Sequence, residues 1–326
     1  MLLGQSVSTA GLEDYTLKLR LTPGLVFSCP IYGGHNTAGQ LIGDYEHIVT
    51  ITSVSKEGLS FNWSMTYPAN FTGHRLVQAS DMQKSRKVSV YYWSGENGPR
   101  SGYSDTYRIS DAIYADLKAG NKTGFEFDGN ENPVSVQKVG EEDLVALVND
   151  RKVKIHTIKG KTANGWYIWV LDNPDFPMMV KGNASWHWTV PSFIYPEASE
   201  KNLLSQLKEK GEATTHAILF AFNSAELESE SKPILDAVAG YLKANPAVRM
   251  EIQGHSDNIG SAQFNLELSR NRAESVKKYL AQQGGIDVRR LSTSGLGFTK
   301  PVSDNSTAEG RALNRRVVFK QIQQQR

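Results

Sequence analysis

The chain has 326 residues, 39% hydrophobic and 21% charged, which is enough apolar surface for a packed core and a length that suggests two domains. Thirty-six Lys and Arg against 34 Asp and Glu leave a net charge of +2, which excludes a strong basic field for nucleic acid or an anionic membrane. No apolar run reaches the roughly 20 residues of a membrane-spanning helix, and a single cysteine, Cys29, excludes a disulfide framework and a multi-cysteine metal cluster.

Residues 1–197 read as a mainly β domain, an antiparallel sheet or open barrel. Met1-Leu2-Leu3-Gly4 carries no export signal, so the chain is either cytoplasmic or begins after a removed one. Val26-Phe27-Ser28-Cys29 has the outline of a lipoprotein cleavage site, but no basic segment and apolar run precede it. Residues 47–54 are β-branched, and Phe61, Trp63, Met65 and Tyr67 alternate with polar residues at the period of a half-buried strand. Residues 88–93, 166–171 and 186–190 read the same way, with a hairpin signal at Asn164-Gly165. Residues 110–118 and 141–148 each fit a single helix. All six tryptophans lie in this half, at 63, 93, 166, 169, 186 and 188. They fill a curved sheet's core or line an apolar groove. The half-barrels of periplasmic lipoprotein carriers are similar at the level of fold alone.

Residues 198–213 lose the aromatics and gain Lys and Glu, as a linker does, with Leu203, Leu204 and Leu207 marking a short helix. From 214 to 326 the period changes. Residues 217–222 read as a strand, 229–244 as a helix with Pro233 in its first turn, and 248–252 as a strand. A long helix spans 261–283, and strands follow at 291–295 and 315–321. The order is β-α-β-α-β-β, an α+β domain with helices on one face of the sheet. In the long helix, Asn265, Ser269 and Arg272 share one face, while Leu266, Ala273, Val276 and Leu280 are expected to face the sheet.

No set of residues here points to catalysis. His255-Ser256-Asp257 are consecutive, and consecutive residues cannot converge as a relay. Gly160-Lys161-Thr162 lacks the first glycine of a phosphate loop, since Ile155 stands there. The seven histidines show no metal-ligand spacing, so neither a metal nor a cofactor is expected.

Four motifs occur in order. They are Phe222-Asn223-Ser224-Ala225; Gly254-His255-Ser256-Asp257; Asn265 to Ser269 with Arg272-Ala273; and Gly295-Leu296-Gly297 with Asn305 to Val317. This series resembles the OmpA-like peptidoglycan-binding domain shared by OmpA, Pal and MotB proteins, over residues 215–322. The resemblance implies recognition of meso-diaminopimelate in Gram-negative wall peptides. Asp257 matches the acid that takes the ligand's ammonium, and Arg272 the arginine that takes its carboxylate. Asn265, Phe222, Asn223, Ser256 and Arg315 match supporting positions. Asn223 departs from the usual aspartate, and Ser256 replaces a threonine.

The resulting expectation is a non-catalytic cell-envelope protein of the periplasm, associated with the outer membrane or wall, that tethers its β domain to peptidoglycan. That β domain would offer a surface to outer-membrane or periplasmic proteins. It does not read as the membrane barrel of OmpA, because long polar segments interrupt its alternation. A carrier or sensor of lipid or an envelope partner is the alternative, with a wall-acting enzyme as a third.

Overall fold

A computed structural model describes residues 8–35, 41–65, 71–90, 97–127, 134–183, 187–189, 192–221 and 223–322. These residues cluster into two units, one of 8–147 and 152–193, the other of 148–151 and 194–326. Among the described residues no helix is long and apolar enough to cross a membrane.

The first unit is built on a sheet of fourteen strands. Val26–His35 pairs antiparallel with Leu41–Ser55 on one side and His187–Thr189 on the other. From there the ladder runs through Met179–Asn183, Tyr167–Leu171, Arg151–Thr162 and Val134–Val148. Ser192–Ile194 pairs with both Val26–His35 and Val134–Val148, so these seven strands form a closed circuit where an antiparallel sheet or open barrel was expected. Nor is the sheet wholly antiparallel. Lys87–Ser89 pairs parallel with Ser104–Asp105 and with Thr123–Phe127. Helix Asp111–Ala119 lies between Lys87–Ser89 and Thr123–Phe127 in the chain and provides the crossover that their parallel pairing needs, while helix Ala79–Lys84 precedes all three strands.

Asp111–Ala119 is the helix expected near 110–118. Ser110 caps it by accepting from Ile113 N, and Gly120 ends it in the left-handed region. Residues 141–148 are instead the second half of Val134–Val148. Leu144 to Val148 are all buried, and a run buried on both faces carries no period that separates strand from helix. The Asn164-Gly165 turn is present, with Gly165 at φ 85° and Thr162 N donating to Trp166 O.

Trp63, Trp169 and Trp188 are buried, whereas Trp93 and Trp186 lie outside the described residues. Phe27, Phe61, Tyr107, Phe176 and Phe193 form a chain of ring contacts with centroids 5.0–6.3 Å apart. Within this core Arg75 donates to Asp105 and to Ser89 Oγ, both at 2.8 Å. The charge pair is fully desolvated, which demands that its bonds be made. Cys29 is buried in this core.

The second unit has a four-stranded sheet in the order Glu212–Thr215, Val317–Ile322, Arg249–Gly254, Leu291–Gly295. The last two strands are parallel and the other pairs antiparallel. Helices Pro196–Lys210, Lys232–Ala244 and Ala262–Gln282 pack on one another in series, and the first and the last of them also pack on the sheet. Residues 198–213, read as a linker, therefore supply a helix ended by Gly211 and then the edge strand. The run 217–222 is not that strand. Residues 217–221 are buried, as their apolarity predicts, but their backbone turns back on itself: Ala221 N donates to Glu226 O and Glu228 N to Leu219 O. A further helix, Ala308–Asn314, precedes the last strand and is capped by Thr307.

Two glycines set the depth of the long helix. A Cβ on Gly254 would lie 2.1 Å from Ser269 O, and one on Gly295 would lie 2.4 Å from Arg270 N. Only bare backbone lets the helix approach the ends of the two parallel strands this closely. Ala273, Val276 and Leu280 are buried beneath the helix as expected, but Leu266 is 43% exposed. Leu266 lies only about 20° from Ala273 around a straight helix, so its exposure reflects its place near the start of the helix rather than the face it takes.

Candidate functional site

Asp257 follows the Arg249–Gly254 strand and starts the loop that leads into the long helix. Its Oδ1 accepts from Ile259 N at 2.9 Å, and its Oδ2 accepts from Arg315 Nη1 at 2.8 Å. Asn265, one turn into the helix, donates from Nδ2 to Ile259 O at 2.8 Å. The Ile259 residue is thus held from both sides, its N–H by Asp257 and its carbonyl by Asn265. Asn265 is buried and spends its amide on the loop; the helix cap is Ser261, which accepts from Phe264 N. Ser256 is also turned inward. Its Oγ donates to Asp257 O, and its N–H donates to Gly297 O. Gly297 N in turn donates to Ser269 Oγ, so the second strand's loop, the Gly295–Gly297 turn and the helix are tied together.

Arg315 comes from the opposite direction, capping the C-terminus of Ala308–Asn314. Its ion pair with Asp257 keeps partial access to solvent, the two side chains being 24% and 12% exposed. Arg272 lies seven residues beyond Asn265, about 10 Å along the helix. Its Nε donates to Ser224 O at 2.9 Å, and its guanidinium lies over the Phe220 ring, 4.9 Å from the centroid. The loop after 221 therefore fixes Arg272, while the loop after 254 fixes Asp257.

Of the residues named from the sequence, Asp257, Arg315 and Asn265 come together around Ile259, and Arg272 is anchored at the 220–224 loop. Asn223 is exposed in that loop, with a left-handed φ of 50°. This conformation suits asparagine better than most residues. Phe222 lies outside the described residues. Phe220 and the Ser224 carbonyl, which hold Arg272, were not singled out from the sequence. Phe220 sits inside an apolar run that reads as a strand, and that pattern gives its ring no separate role. The backbone of Ile259 left no side-chain signal.

Beside the site, His255 is buried; burial first, and then the Arg316 guanidinium, pushes its pKa down to about 4. No group of His, Cys, Asp or Glu that could hold a metal ion occurs among the described residues.

Comparison with known proteins places this region. Residues 219–315 match the OmpA family. Outer membrane protein Omp38 of Acinetobacter baumannii is 41% identical over 100 residues, covering 31% of this chain and 28% of that protein. Outer membrane protein A of Bordetella avium is 37% identical over 136 residues, covering 40% of this chain and 69% of that protein. The peptidoglycan-binding protein ArfA of Mycobacterium tuberculosis is 43% identical over 100 residues, covering 31% and 30%. The shared stretch is thus under a third of the length of the Acinetobacter and Mycobacterium relatives. Through its C-terminal third, this chain belongs to the OmpA family.

Proposed function

We propose that the chain is a non-catalytic cell-envelope protein that binds peptidoglycan through the free amino-acid end of meso-diaminopimelate, and so tethers its N-terminal β-rich part to the wall. A relative 43% identical over the matched stretch is itself named as peptidoglycan-binding. The observation that carries the reading is the placement of opposite charges on separate, braced elements. Asp257 is held by its loop, and Arg272 is held by Phe220 and Ser224.

The ligand's end carries an ammonium and a carboxylate on one carbon. Each carboxylate oxygen of Asp257 uses one lone pair on Ile259 or Arg315 and keeps another for the ammonium. The ligand carboxylate then falls to Arg272, with Arg315 as a second guanidinium alongside. One acid and two bases give the site a net charge of +1, which an ammonium alone would not favour and a zwitterion tolerates. Each charge-assisted bond contributes about 1.5–3 kcal/mol at best, and the partial exposure of Asp257 and Arg315 lowers that. Binding to an isolated fragment is therefore modest, and retention on the wall gains from the many stems displayed together. Asn265 and Ser256 serve by holding the Asp257 loop, and Asn223 belongs to the first loop, the one that anchors Arg272.

The test is co-sedimentation of the full chain with purified Gram-negative sacculi, alongside Asp257→Ala and Arg272→Ala. Both variants should remain folded and stay in the supernatant. Undiminished sedimentation of both would remove the site assignment.

A further inference from the structure

One residue past the paired ends of Arg249–Gly254 and Val317–Ile322, His255 N donates to Arg316 O. His255 and Arg316 are therefore direct cross-strand neighbours with their side chains on one face. Both are buried, at 4% and 8% exposed. The Arg316 guanidinium donates to two backbone carbonyls, Asn314 O at 3.2 Å and Lys300 O at 2.9 Å. Among the described residues no carboxylate lies within ion-pair distance of it, and the carboxylate of Asp257 is engaged by Arg315. Both ring nitrogens of His255 are buried without a protein hydrogen-bond partner.

A buried guanidinium costs several kcal/mol unless a negative charge compensates it. A buried imidazole N–H with no acceptor adds about 1–3 kcal/mol more. Side by side, these two groups present one full positive charge and at least one unspent donor to the same space. Burial alone lowers the Arg316 pKa, which is the signature of a charge with no protein counter-ion. A water could accept from the imidazole but could not neutralise the arginine.

We propose that His255 and Arg316 form a binding site for a small monovalent anion of the halide class, a structural counter-ion that locks the Asp257 loop against the Arg315–Arg316 segment. The anion is monovalent because the neutral imidazole leaves a single charge to balance, and small because both side chains are nearly enclosed. The site is separate from the ligand site and does not rest on the peptidoglycan reading. Its consequence is that folding of the C-terminal unit is linked to halide concentration.

The direct test is a crystal of the full chain grown with bromide in place of chloride. An anomalous peak touching the Arg316 guanidinium and one His255 ring nitrogen is expected. Bromide found only at surface lysines, or an ordinary water between the two side chains, overturns the proposal. In solution, the thermal midpoint should rise with chloride or bromide at constant ionic strength made up with gluconate. His255→Gln, which retains a donor at a different reach, should weaken the halide affinity by about tenfold. Arg316→Met should remove the halide dependence. If Arg316→Met does not fold, the wild-type bromide and gluconate measurements decide alone; equal midpoints in both salts would also overturn the proposal.

Discussion

Substituting Asp257→Asn separates binding from stability at the proposed site. Asparagine keeps the shape of the side chain and an oxygen for Ile259 N, so the loop that depends on the 2.9 Å bond should persist. What disappears is the negative charge. For folding, the loss is the attraction to Arg315 across 2.8 Å between side chains 12% and 24% exposed, and partly solvated pairs of this kind contribute at most about 1 kcal/mol. For binding, the loss is the charge-assisted bond to the ligand ammonium, about 1.5–3 kcal/mol. At about 1.4 kcal/mol per factor of ten, that is a ~10- to 150-fold weaker association. Calorimetric titration of wild type and Asp257→Asn with a soluble diaminopimelate-containing muropeptide measures the second quantity. Urea unfolding measures the first. A variant that loses several kcal/mol of stability, or that binds the muropeptide as well as wild type, would refute the reasoning.

Gly254→Ala brings a methyl to 2.1 Å from Ser269 O, a backbone atom that cannot move without the helix. We expect a loss of about 1–3 kcal/mol or more, read as a lower thermal midpoint. Asp105→Asn leaves the buried Arg75 without its counter-charge and should cost about 3–5 kcal/mol in chemical denaturation. His47 is buried against Tyr107 and Trp63, and burial first, then Arg75, lowers its pKa to about 3. Its folded pKa is below its unfolded one, so its contribution is intact above the ordinary histidine pKa of about 6.5 and is lost as pH falls toward 3. His47→Phe should flatten the acid limb of a stability–pH curve across that window; an unchanged limb would show that other groups dominate it.

The C-terminal motifs were legible because chemistry and backbone demand coincide there. Gly254 and Gly295 are dictated by helix contact. Asp257, Asn265 and Arg315 are polar groups at fixed offsets, and they meet around Ile259. The helix 232–244 was readable from Pro233 and its apolar face. Other features left no such trace. The run 217–221 is apolar because it is buried, yet its hydrogen bonds go to residues 226 and 228, and composition cannot distinguish that from a sheet partner. Residues 144–148 are buried on both faces and so lost their period. Phe220 acquires its role from a guanidinium 52 positions away in the chain, which no local pattern encodes. In the N-terminal half, alternation revealed strands, but it could not reveal that Ser192–Ile194 pairs with two of them and closes the circuit.

The most direct test of the central claim is co-sedimentation of the wild-type chain with two purified walls, one carrying meso-diaminopimelate and one carrying lysine at the same stem position. The lysine-type stem lacks the carboxylate that Arg272 is proposed to take. Retention by the first wall alone is the predicted result; equal retention by both would contradict recognition of a two-charged carbon by Asp257 and Arg272.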